Sequence, residues 1–158
     1  MFTHFPKSPI MNVAGMYSFT FIPYHLISRL PTAQEKLVAE SPLSSILDIG
    51  YQGYSTLEEL EFTETAKEAE NGTFYQWEIN GFMPGDSETL ISLMEYMESC
   101  KHLVIIRDAM NQQRIVGMNA PLSFAAVFKS GSKAREARGY KYSFTGSSIS
   151  RAPIYKLG

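Results

Sequence analysis

The most constraining feature is the segment 56–81, TLEELEFTETAKEAENGTFYQWEING, in which two strand-forming runs flank Asn71-Gly72. That dipeptide suits the positive backbone angles of a tight hairpin turn, so an antiparallel strand pair is expected here. In the first arm Thr56, Phe62, Thr63 and Thr65 favour extension. Glu58, Glu59, Glu61 and Glu64 supply its polar positions and read as a solvated strand face, although this acidic run also fits a helix. The second arm alternates more cleanly. Tyr75, Trp77 and Ile79 share one face at period two, and Phe74, Gln76 and Glu78 the other, which makes Trp77 a core anchor.

A helix follows. Pro84-Gly85 turns the chain, Asp86 or Ser87 caps the next segment, and Leu90, Leu93, Met94 and Met97 form an apolar stripe at helical spacing. That spacing assigns the methionines to packing on a sheet rather than to a metal. Further strands are expected at YSFTFI (17–22), with Pro23 as an edge exit, at HLVIIR (102–107) and at RIVG (114–117). In APLSFAAVF (120–128) the residues Leu122, Phe124, Ala126 and Phe128 share a core face. In YKYSFTG (140–146) Tyr140, Tyr142 and Phe144 do the same, and APIYKL (152–157) supplies a short terminal strand. GYQGYS (50–55) reads as a loop. Residues 31–47 stay open between a short helix cut by Pro42 and a short strand.

The resulting fold class is α+β: a β-rich antiparallel sheet, arranged as a sandwich or partly open barrel, with one principal packing helix. A length of 158 residues with 44% hydrophobic side chains suits a single globular domain over 1–158, with a flexible N-terminal segment. The longest early stretch without charge, 8–28, holds two prolines, Asn12 and His25, so no membrane insertion is expected of it. It also lacks a signal-peptide pattern, and Cys100 is the only cysteine. A reducing, cytoplasmic setting follows, and Asn71-Gly72-Thr73 then reads as a turn rather than a glycosylation acceptor.

The formal net charge of -2 excludes a broadly basic nucleic-acid binder, but it conceals a division. Residues 1–100 carry four Lys or Arg against fourteen Asp or Glu, and residues 101–158 carry ten against two. Much of the positive excess lies in KSGSKAREARG, an exposed basic loop between strands. Lys129, Lys133, Arg135 and Arg138, with Lys141 just beyond, are the candidate contacts to a protein interface or an anionic partner.

Catalytic and cofactor patterns are not found, so no catalytic, cofactor-binding or metal residue is assigned and a non-enzyme is expected. His4, His25 and His102 are scattered, and Cys100 with His102 has neither zinc spacing nor an orienting third group. Asp48 and Asp108 read as loop or turn residues. Gly131-Ser132-Lys133 is too short for a phosphate loop, and GYQGYS lacks the strand-turn-helix setting of a dinucleotide fingerprint. Tyr140, Tyr142 and Phe144 form a core or subunit-contact stripe rather than a base-stacking platform.

The run HLVIIRDAMNQQRIVGMNAPLSFAAVFKSGSKAREARGYKYSFTGSSISRAPIY resembles the strand-rich C-terminal part of small prophage-associated structural proteins, and the likeness extends back through FYQWEINGFMPGDSETLISLMEYM. The resemblance implies a structural component of a phage tail or particle, assembling through sheet edges and loops. Its location would be cytoplasmic before assembly and in a virion or tail-like particle afterwards. The leading expectation is therefore a self-associating structural subunit whose partners are further copies or other structural subunits. The alternatives are a small binding module that uses the basic loop for an acidic protein or, less favoured, nucleic acid, and an enzyme with a discontinuous pocket.

Overall fold

Turn chemistry and alternation act first on the hairpin. The computed structural model describes residues 4–5, 18–27, 37–38, 50–56, 59–108, 112–133 and 135–155. β1 is Ser18–Pro23, β2 Leu37–Val38, β3 Tyr51–Gln52, β4 Glu61–Ala69 and β5 Gly72–Pro84. The helix α1 spans Glu88–Glu98, and β6 Lys101–Arg107, β7 Gln113–Val116, β8 Leu122–Lys129, β9 Gly139–Ser148 and β10 Ile154–Tyr155 complete the order. In the β4–β5 hairpin Ala69 faces Gly72, so the two-residue turn is Glu70-Asn71, one position earlier than expected. Gly72, at φ 120°, takes up the strained angle as the first residue of β5.

Among the described residues the protein is α+β, strand-rich and largely antiparallel with one α-helix and a short 3-10 turn at Tyr24–Leu26, and its sheet is not closed into a barrel. The strand order is β2-β10-β7-β6-β8-β9-β5-β4, with β1 between β6 and β3. All pairs are antiparallel except β10 with β2. β6 is the branch point. β1 lies along one of its sides, while β8 pairs with Lys101 and His102 and β7 with 104–107.

Branching brings two parts of the sheet face to face. Phe19 of β1 meets Phe144 of β9 with ring centroids 5.8 Å apart, although these strands are not hydrogen-bonded neighbours. The main core between them takes Trp77 and Ile79 from β5, Phe124 from β8, Tyr140, Tyr142 and Phe144 from β9, and the α1 stripe Leu90, Leu93, Met94 and Met97. β6 is buried on both sides. Val104 and Ile106 join this core, while Leu103 and Ile105 pack with Ile22, Ile115, Met118 and Tyr155 in a second cluster. A continuous apolar run is what a doubly covered strand requires.

The helix forms as the sequence dictates. Ser87 is its N-cap, with Oγ accepting from the Leu90 N–H, and the four stripe residues are its buried ones. One close approach also depends on a glycine: a Cβ on Gly81 would stand 2.5 Å from the Tyr142 ring, which lies across it on β9. The phenol of Tyr142 donates to the Tyr54 carbonyl at 2.6 Å, tying the segment after β3 to the core.

Two expectations fail at this level: GYQGYS, read as a loop, contains the strand β3 paired with β1, and Phe128 leaves the core. Phe128 alternates in phase with Leu122 and Phe124, yet it is 42% exposed because β8 runs past the edge of the core. Of the ambiguous stretch 31–47, the described part is the short strand β2; Pro42, LSSILDI and Asp48 lie outside the described residues, as does most of the N-terminal segment. Among the described residues no helix is long and apolar enough to cross a membrane.

Candidate interaction surface

The β8–β9 hairpin carries the basic segment at its tip. β8 and β9 pair from Ser123–Thr145 out to Lys129–Gly139, and the intervening loop is shaped by a carboxylate. Glu136 accepts from the Ser132 N–H at 2.7 Å, which fixes the turn around Gly131 at φ 77°. The backbone bond from Ser132 is the main cause holding the Glu136 carboxyl below its usual range. Glu136 is therefore occupied inside the loop.

The five sequence-derived contact residues meet different fates. Lys129, Lys133, Arg135, Arg138 and Lys141 are all exposed. Arg138 is partly engaged, since its guanidinium lies 2.8 Å from the Asp86 carboxylate and 6.0 Å from the centre of the Phe128 ring. Phe128 packs on Tyr140 at 5.2 Å, and the Tyr140 hydroxyl donates to Asp86 at 3.5 Å. The Gly85 N–H also donates to the Arg138 carbonyl, so the loop is anchored to the foot of α1.

Lys129 and Lys141 face a cleft of ≈ 400 Å³ together with Thr56, Phe82, Gly131 and Ala137, but Glu59 and Glu136 line it too. Two carboxylates beside two ammonium groups make this cleft poorly suited to a phosphate. Tyr140, Tyr142 and Phe144 are buried, which withdraws them from base stacking and matches the core reading.

The acidic strand face needs a correction. Glu61 is exposed and Glu58 lies outside the described residues, but the Glu64 side chain is only 6% exposed. Cross-strand pairing sets Glu64 opposite Trp77, and the indole Nε1–H donates to its Oε2 at 2.9 Å. The Ala152 N–H donates to Oε2 at 2.7 Å, while Arg151 at 2.9 Å and Arg114 at 3.6 Å pair with Oε1. Burial pushes this carboxyl up, and the donors from Ala152, Arg151 and Trp77 with the Arg114 charge outweigh it, leaving it below the usual range. Arg151 also stacks over Tyr75 at 4.5 Å. The network pins β4 to the segment before β10.

His102 is fully buried and edge-on to Phe21, Phe124 and Phe144. Its Nε2–H donates to the Met97 carbonyl at 2.9 Å, and burial lowers its pKa. Cys100 is half-buried, with Sγ 3.5 Å from Ser99 Oγ. With its ring walled in by aromatics, His102 cannot meet a substrate delivered by solvent. Among the described residues no three His, Cys, Asp or Glu side chains are grouped to hold a metal.

Comparison with known proteins returns no family model, no curated protein and no solved structure that matches the chain. The surface must be judged on its own chemistry.

Proposed function

We propose that the chain is a self-associating structural subunit, of a phage tail or tail-like assembly, acting through sheet and charged-loop contacts. The observation that carries this reading is the tip of the β8–β9 hairpin, where exposed Val127 and Phe128 lie beside Lys129, Lys133 and Arg135. Apolar side chains rimmed by charge suit a protein contact, in which burial gives persistence and charge gives orientation. In this reading the protein is cytoplasmic until it joins a particle. The binding-module alternative is less well supported, because the cleft beside the loop is lined by both signs of charge and, of the aromatics around it, Phe82 and Tyr140 are buried and Phe128 is packed on Tyr140.

Light scattering across a concentration and ionic-strength series tests the proposal. The expected outcome is a mass that rises with concentration and falls with salt, as screening weakens exposed charge contacts. A monomer under every condition overturns it. For the alternative, single-stranded nucleic acid would have to bind with a steep salt dependence that Lys133→Ala and Arg135→Ala reduce.

A further inference from the structure

The exposed side of α1 is acidic. Glu88, Glu95 and Glu98 are exposed, the helix contains no Lys or Arg, and Ile91 is 43% exposed among them. Glu95 and Glu98 occupy the last turn, where the helix dipole disfavours negative charge, and no basic residue accompanies them there. For folding alone, this is a poor place for two carboxylates.

This acidic side borders the basic hairpin. α1 packs against β8, and Asp86 at the foot of the helix holds Arg138 at the foot of the loop. Tyr140 connects the two, touching Phe128 on one side and sensing Asp86 and Glu95 on the other. Four of the six large exposed apolar side chains among the described residues, Ile91, Tyr96, Val127 and Phe128, belong to α1 and the end of β8. The helix thus starts at the basic hairpin and runs back along β8 towards the Lys101–Ser123 pair, so the acidic row and the basic tip are fixed relative to each other, with Ile91 and Phe128 exposed on that side of the sheet.

We propose that this side binds a second copy of the chain about a two-fold axis, with Glu88, Glu95 and Glu98 of each copy facing Lys129, Lys133 and Arg135 of the other. The inference rests on the self-association proposed above and specifies its contact. A patch holding both signs side by side is self-complementary under a two-fold rotation, whereas a patch of one sign would need a different partner. Phe128 and Ile91 lie within the contact and lose water there.

Charge exchange tests it by sedimentation at low salt. The wild-type chain is expected to give a mass of two chains. The reversals E88K/E95K/E98K and K129E/K133E/R135E are each expected to weaken self-association at least ~100-fold, because like charges then meet at both halves of the contact. Mixed in equal amounts, the two variants are expected to form a one-to-one pair. The double variant Ile91→Ser/Phe128→Ser probes the apolar centre without altering the opposed charges and is also expected to dissociate the pair. Circular dichroism of each variant should match the wild type, since every changed side chain is exposed.

If either reversal associates as the wild type does, or if the mixed variants stay apart, this contact is overturned while self-association stands. A wild-type chain that is monomeric throughout overturns both.

Discussion

The two long hairpins contain similar densities of charge and use them in opposite ways. In β4–β5 the central acid, Glu64, points inward and is consumed by an indole, a backbone N–H and two guanidinium groups. In β8–β9 the cations remain exposed towards the tip, and among the described residues only Arg138 is tied down by an ion pair. The first arrangement holds the fold together. The second leaves stability nearly indifferent to its charges and frees them for a partner. A run of like-charged residues therefore has no fixed meaning; which face of the strand it occupies decides.

The largest break in this comparison should come from Glu64→Ala, which leaves the Trp77 and Ala152 N–H groups without their acceptor. Arg114 and Arg151 are 35% and 47% exposed, so water recovers much of their charge. A loss of about 2–3 kcal/mol is expected, below the usual cost of splitting a fully buried pair. Urea denaturation measures it, and a loss within about 0.5 kcal/mol would place Glu64 with the surface charges after all. Trp77→Phe keeps most of the ring but deletes the donor, and should cost roughly 1–2 kcal/mol in the same assay.

Acid separates Glu64 and His102 by where they act. His102 stays neutral in the fold, so below its ordinary value of 6.5 the unfolded chain takes up a proton that the folded chain refuses. Its contribution is complete above that value and declines as the pH falls below it. Glu64 is lowered from 4.5, so its contribution is complete above 4.5 and is lost as the pH falls through its folded value. Melting temperature against pH should therefore fall in two stages, and His102→Leu should remove the upper one. A single stage confined below 4.5 would mean that His102 takes up its proton in the folded protein. The smallest effects belong to Lys133→Ala and Arg135→Ala, each expected within about 0.5 kcal/mol of wild type by the same denaturation.

Local rules made much of this legible. The helix, with its cap narrowed to Asp86 or Ser87, the β5 alternation around Trp77 and the buried Tyr140-Tyr142-Phe144 face follow from residue type and spacing. Glu64 was hidden by its surroundings: three nearby glutamates suggested solvent, while the partners that neutralise it lie 50 and 87 residues further along the chain. One signal did exist, because a tight hairpin puts Glu64 on the same face as Phe62, against the core side of β5. His102 was hidden for a different reason. Its position in an apolar run is explicit, but the aromatic walls come from β1, β8 and β9, which only the branching at β6 brings together. Phe128 shows the opposite error, since period two identifies a face and says nothing about where the core ends.

That branching also sets a timetable for the growing chain. Ser18 pairs with Arg107 and Pro23 with His102, so β1 leaves the ribosome well before the strand that will pair with it. At ordinary translation speeds the interval is roughly 4–18 s, during which Phe19, Phe21 and Ile22 have, among the described residues, only the two-residue β3 as a strand partner. β1 thus waits twice, since β6 supplies its edge partner and Phe19 is covered only when Tyr142 and Phe144 of β9 follow.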